Sequence, residues 1–263
     1  MMRFLLALQL LCLAMLTATP ASAEDGSDLW LRYRPVEAQW QARYQPLAAS
    51  IVVPGEVPTL HAARDELERG LTGLLGVRPR SQSSTSESGS IIVGTPQTSP
   101  EIARLKLPLA RLGAEGYLIR SVRLRGHPAT VIAANTNRGA LYGVFHLLRL
   151  IQTRQAIDRL DISSTPKIQL RLLNHWDNLD RTVERGYAGF SLWDWHKLPG
   201  WRDKRYIDYA RANASIGING TVLNNVNSNA QILTPLYLEK VAALADTFRP
   251  YGIKVYLSAR FSA

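Results

Sequence analysis

Apolar residues in this chain follow two rhythms: short continuous runs that read as buried strands, and longer stretches at helical spacing. Residues 50–53 (Ser-Ile-Val-Val) predict a strand ended by Pro54 and Gly55. Thr59 reads as a helix N-cap, and Leu60, Ala63, Leu67, Leu71, Leu74 and Leu75 then recur every three or four positions until Gly76 closes the helix. Residues 81–90 carry Ser, Thr, Gln, Glu and Gly with no apolar side chain, and predict a mobile surface loop. Residues 90–94, 116–120 and 130–134 predict three further strands. Residues 138–153 predict an amphipathic helix with Leu141, Val144, Phe145, Leu148 and Ile151 on one face. Together these elements make a compact α/β sandwich.

The rhythm changes near Pro166. Residues 168–173 predict a strand, 202–215 a helix and 220–223 a second strand. Thr234 followed by Pro235 predicts the start of a helix running to Phe248, with Pro at the first helical position. Residues 253–257 predict a third strand beyond the break at Tyr251 and Gly252. Strand, helix, strand, helix, strand is the alternation of a (β/α)8 barrel, and polar residues gather after each strand, where barrels build their sites. A doubly wound sheet shows the same alternation, so the pattern alone does not separate the two.

The residues after those strands suggest carbohydrate chemistry. His175, Trp176, Asp177 and Asn178 follow the first, and Trp193, Asp194 and Trp195 lie a little further on. Asn224, Asn225, Val226 and Asn227 follow the second. Aromatic rings can stack on the apolar faces of a pyranose while amides and carboxylates bond its hydroxyls. The same residue types also serve as turn formers and core packing. His175 and Asp177 make two potential metal ligands, too few for a site, and Glu184 with Arg185 reads as a scaffolding pair. Gly94 with Thr95, and Asn135 through Gly139, lie near strand ends or helix starts but match no phosphate-loop fingerprint, and read as ordinary turns.

Composition narrows the setting. Residues 1–23 combine Arg3, an apolar run and Ala21-Ser22-Ala23, the pattern of an export signal cleaved before Glu24. The run of about 13 apolar residues is too short to span a bilayer, so an exported protein, periplasmic or extracellular, is expected. The single cysteine, Cys12, falls inside that signal, which removes disulfides, thiol nucleophiles and cysteine-based metal sites from the rest of the chain. The net charge of +10 comes mostly from scattered Arg rather than a basic patch, so nucleic acid is not an expected partner; with the apolar run too short to span a bilayer, neither is a membrane.

The run His175, Trp176, Asp177, Asn178 resembles family 67 glycoside hydrolases, the α-glucuronidases. So do Glu184-Arg-Gly-Tyr-Ala-Gly189, Tyr209 to Gly220, Leu223 to Asn227, and Lys254 to Ser262, in the same order. The resemblance covers nearly all of residues 27–263. It implies an N-terminal α/β domain over residues 24–165 and, over 166–263, the first three β/α units of a (β/α)8 barrel that is incomplete here. It further implies removal of (4-O-methyl)glucuronic acid from xylooligosaccharides by inversion, without a cofactor, in a protein whose dimers form through a missing C-terminal region. Trp176 matches a pocket tryptophan of the family, and Val226 an apolar residue lying against the 4-O-methyl group. Asp177, Asn178 and Asn225 are the accompanying candidates for sugar hydroxyls. The family's catalytic carboxylates fall beyond Ala263, so no catalytic residue is expected within the chain, and the chain alone is expected to be inactive and poorly soluble. Two other readings stay open on the residues: another exo-glycosidase of the hexosaminidase type, and a non-catalytic carbohydrate-binding protein.

Overall fold

The computed structural model describes residues 24, 26–85 and 87–260, so the export-signal reading of residues 1–23 lies outside the described residues. The first part of the chain builds a six-stranded sheet. Its strands are β1 (Ser50–Val52), β2 (Arg80–Ser81), β3 (Ser90–Gly94), β4 (Tyr117–Leu124), β5 (His127–Ala134) and β6 (Asp161–Ser164). Their order is β2-β1-β3-β5-β4-β6; the first four are parallel neighbours, and β4 runs antiparallel to both β5 and β6. Helices α1 (Ala38–Tyr44), α2 (Pro58–Leu75), α3 (Pro100–Arg104) and α4 (Asn137–Gln152) cover it.

Strand periodicity explains the layering. Ile91, Val93, Ile132 and Ala134 face one side and join α2 and α4, whereas Ile92, Val131 and Ala133 face the other and pack on Ile102, Leu109 and Leu112. Leu60, Leu67, Leu71 and Leu74 of α2 are fully buried, each contributing roughly 1.5–3 kcal/mol by leaving water. The two long helices touch at Gly70, where a Cβ would stand 2.5 Å from the Leu148 side chain. Any larger residue there would force the Leu148 side chain to move.

Several boundaries differ from the sequence expectation. Helix α2 begins at Pro58 with Val57 as N-cap, because proline at the first helical position needs no N–H partner; Thr59 lies inside the helix. The loop around residues 81–90 is tied down: Gln82 N–H donates to Ile51 O at 2.9 Å, and buried Thr85 donates to Glu101 Oε1 at 2.6 Å. Strand β6 has no apolar run, and pairing with β4 decides it, with Asp161 opposite Arg120 and bonded to it at 2.7 Å.

The second part of the chain forms a separate parallel sheet, β7 (Leu172–Asn174), β8 (Gly220–Val222) and β9 (Lys254–Tyr256), in that order. Helices α5 (Lys204–Ser215) and α6 (Pro235–Phe248) connect these strands. This is the opening of a (β/α)8 barrel: three strands and the two helices between them. Strand β7 starts later than expected because the Arg171 side chain bonds Ile168 O, Gln169 O and Gly217 O. That wrapping leaves Ile168 and Leu170 exposed. Thr234 does cap α6 by position, but its hydroxyl donates back to Gln231 O at 2.7 Å.

Two buried carboxylates join the two sheets' surroundings. Glu66 of α2 takes a bidentate bond from Arg211 of α5, at 2.7 and 2.9 Å. Glu115 takes bonds from Arg138, Arg171 and Asn219, which reach it from α4 and from just before β7 and β8. Burial pushes the Glu115 carboxyl up, but the bonds from Arg171, Asn219 and Arg138 outweigh it and hold the group below its ordinary 4.5. A depressed folded-state value means that the ionised group stabilises the fold above pH 4.5, and that this contribution fades as pH falls through the lower folded value. Denaturant melts at pH 6 and pH 3 should therefore show a smaller acid-induced loss for Glu115→Gln than for wild type. Equal losses in both proteins would refute that assignment.

Candidate functional site

The site grows from the C-terminal ends of β7, β8 and β9. Alternation continues past β7: His175 and Asp177 turn inward, with side chains 18% and 5% exposed, while Trp176 between them is half exposed. His175 N–H still pairs with Val222 O at 3.0 Å, so the first residues of the loop keep strand geometry.

The inward side chains form a continuous network. His175 Nε2 lies 2.8 Å from the Tyr209 hydroxyl, which in turn lies 2.8 Å from Thr221 Oγ1. Burial, reinforced by the Asp177 charge, pushes the Tyr209 phenol up to about 12 against the bonds from Thr221 and Asn213. His175 Nδ1 lies 3.3 Å from Asp177 Oδ2, and Asp177 Oδ1 accepts from Ser191 Oγ and from Leu192 N–H at 3.0 Å. Beneath this network sits Trp193, fully buried, with ring centroids of His175, Tyr209, Phe248 and Tyr206 5.0–5.8 Å away. Its indole N–H donates to Leu223 O at 3.0 Å. Trp195 is also fully buried, so these two rings are core, while Trp201 is exposed.

The loop after β8 is equally constrained. Asn224 exchanges two bonds with Ser258 beyond β9, its Nδ2 donating to Ser258 O and its Oδ1 accepting from Ser258 N–H, both at 2.9 Å. Asn225 donates its N–H to Asp177 O at 2.9 Å and its amide Nδ2 to Glu184 Oε2 at 3.3 Å, and its Oδ1 accepts from Asn227 N–H at 2.9 Å. Val226, at the tip, is half exposed.

The five residues singled out from the sequence are thus brought to one end of the sheet but divide by direction. Trp176 and Val226 offer apolar surface to solvent. Asp177 and Asn225 are buried and spend their side chains on the protein, and half-buried Asn178 donates to Thr182 Oγ1 at 2.9 Å and to Glu184 O at 2.6 Å. Sequence reasoning undervalued Glu184, Ser191 and Tyr209, whose partners are distant in the chain. The arrangement is a rigid polar frame presenting two apolar faces, which suits one face of a sugar ring. Among the described residues, no group of three or more His, Cys, Asp or Glu side chains could hold a metal ion.

Comparison with known proteins gives a consistent picture. Residues 29–147 match the profile described as the glycosyl hydrolase family 67 N-terminus, and residues 150–263 match the family 67 middle domain. Alpha-glucuronidase A of Emericella nidulans is 34% identical over 264 residues, covering 96% of this chain and 30% of that protein. A probable alpha-glucuronidase A of Neosartorya fischeri is 33% identical over 246 residues, covering 92% of this chain and 29% of that protein. The chain therefore spans just under a third of the length of these curated relatives. Among solved structures, a family GH115 4-O-methyl-α-glucuronidase with specificity for decorated arabinogalactans superposes with a TM-score of 0.56 at 17% identity, over 81% of this chain and 28% of that one. That likeness speaks to the fold.

Proposed function

The chain belongs to glycosyl hydrolase family 67, and from that premise we propose that the protein carrying it is an exported α-glucuronidase. It would release (4-O-methyl)glucuronic acid from the α-1,2 link to xylooligosaccharides. The observation that carries this reading is the pairing of Trp176 and Val226: two exposed apolar side chains after adjacent parallel strands, fixed by a hydrogen-bonded frame. In this reading Trp176 stacks on the uronic acid and Val226 meets its 4-substituent, while Asp177, Asn178 and Asn225 hold them in place. The division into residues 24–165 and 166–263 belongs to the same reading, supported by the change of sheet after β6.

Inversion requires one carboxylic acid to protonate the leaving xylose oxygen and a second carboxylate, roughly 6.5–9.5 Å away, to activate water. We assign neither role within this chain, since Asp177 is spent on Ser191, Leu192 and His175. Two carboxylates and a water suffice for that hydrolysis, so the reading implies no cofactor. Export is supported by the pattern of residues 1–23. A homodimer is carried by the family relation alone.

The test is hydrolysis of an aldouronic acid by the full-length protein, followed by proton NMR. Initial release of β-glucuronic acid from the α-linked substrate supports the reading, and an α product or no release overturns it. Trp176→Ala should weaken binding of that substrate at least about tenfold, because a stacked aromatic face contributes on the order of 1 kcal/mol beyond its buried area. Isothermal titration of the two proteins measures this, and equal affinities would remove Trp176 from the pocket.

A further inference from the structure

We propose that Glu184 is a positioning residue: its carboxylate ties the loop carrying Trp176 to the loop carrying Val226 and so sets the gap between the two apolar walls. The inference rests on the sugar-pocket reading above for what the gap receives, but the tie stands on its own geometry.

Glu184 meets both loops at once. Its N–H donates to Trp176 O at 2.8 Å, and its own carbonyl accepts from Asn178 Nδ2 at 2.6 Å, so its backbone is stitched to the first loop on both sides. Its Oε2 accepts from Asn225 Nδ2 at 3.3 Å, and Asn225 is the residue immediately before Val226. Asn225 N–H also donates to Asp177 O, next to Trp176, at 2.9 Å. Two bonds to Asn225 therefore cross between the loops, in addition to the Trp193 indole bond to Leu223 O.

The backbone at Glu184 points the same way. Its φ is +55°, in the left-handed region where a side chain is uncommon and glycine is favoured. Glycines stand at 186 and 189 in the same turn, at φ +94° and +90°, so the turn uses glycine freely where no side chain is needed. Position 184 keeps a carboxylate despite the unfavourable φ, and that side chain is only 13% exposed. Arg185 is the cation recorded beside it, 3.7 Å away and 87% exposed, a weak partner. The carboxylate is thus held for its contact with Asn225 rather than for a salt bridge. An observed backbone outlier beside a candidate site is a reason to look for such a role.

Three substitutions in the full-length protein separate the possibilities. Glu184→Gly relieves the left-handed backbone and removes the carboxylate, Glu184→Ala removes the carboxylate alone, and Glu184→Gln keeps an oxygen able to accept from Asn225. Hydrogen exchange at the backbone amide of Asn225, whose bond to Asp177 O the Glu184 carboxylate steadies through the adjoining side chain, reads the tie without any sugar, and affinity for an aldouronic acid reads its consequence. Glycine and alanine variants should lose protection at this amide by at least about tenfold and bind the sugar correspondingly more weakly. The glutamine variant should stay within about threefold of wild type in both. A glycine variant with wild-type protection, or a glutamine variant as impaired as alanine, would overturn the proposal. Exchange behaving as described in a protein that binds no such sugar would support the tie and remove only the functional reading.

Discussion

Arg211→Ala should lower the stability of the protein by about 3–5 kcal/mol, the cost of leaving a buried charge without its partner. Glu66 and Arg211 side chains are only 2% and 5% exposed. Arg211 Nε and Nη2 meet the two carboxylate oxygens at 2.7 and 2.9 Å, and the Tyr33 hydroxyl adds a third bond at 2.7 Å. Burial, then the Glu66 charge and hydrogen bond, push the Tyr33 phenol far above its ordinary range, so Tyr33 stays a neutral donor. Without Arg211, Glu66 keeps Tyr33 and a distant Arg69 at 3.7 Å. A melting temperature on the order of 10 °C lower is expected. The paired change Glu66→Met with Arg211→Met should recover much of the loss, because apolar side chains of similar volume need no solvation. A single Arg211→Ala variant within about 1 kcal/mol of wild type would show that water enters the site freely.

Trp193→Ala should cost about 3–5 kcal/mol by opening a cavity beneath the candidate site. The indole is fully buried among His175, Tyr206, Tyr209 and Phe248, and its N–H satisfies Leu223 O at the start of the second loop. Trp193→Phe keeps part of the ring volume but leaves Leu223 O unpaired, so a smaller loss is expected. The functional consequence is distinct from that of Trp176→Ala. Removing the buried ring should release both loops, raising exchange at the Leu223 and Asn225 amides while the exposed Trp176 stays in the chain. Thermal melts and hydrogen exchange on the same samples measure this. Wild-type stability with unchanged exchange would show that the cluster merely fills space.

The contrast between the three conspicuous tryptophans shows how far the sequence could be read. Trp176, Trp193 and Trp195 all lie in an Asn- and Asp-rich stretch, and residue type alone lets each stack on a sugar or pack in the core; only the family resemblance singles out Trp176. Position relative to the strand separates them. Trp176 follows β7 by two residues and inherits its outward phase, whereas Trp193 returns under the sheet after a turn containing left-handed Arg181 and Glu184. Nothing in the local pattern reveals that return, because it is fixed by Asp177 reaching Ser191 and Leu192 across the turn. The same limit applies to Asn225 and Asp177, whose residue types suit a hydroxyl and a turn equally well.

What the sequence determined by itself was what depends on neighbours along the chain. Alternating and helical periodicities gave β1, β3, β4, β5, β7, β8 and β9 and the long helices α2, α4, α5 and α6, since each records which face must leave water. The order of motifs gave the family relation. Tertiary structure decided the rest. It paired the polar strand β6 through Asp161 and Arg120, buried Glu66 and Glu115 against arginines from the other sheet's surroundings, and turned three polar candidates into frame and two apolar ones into surface. The physical reason is common to all of these. A charge or amide is placed by partners that satisfy it, and in this fold those partners come from distant parts of the chain, 145 residues away for Glu66 and Arg211.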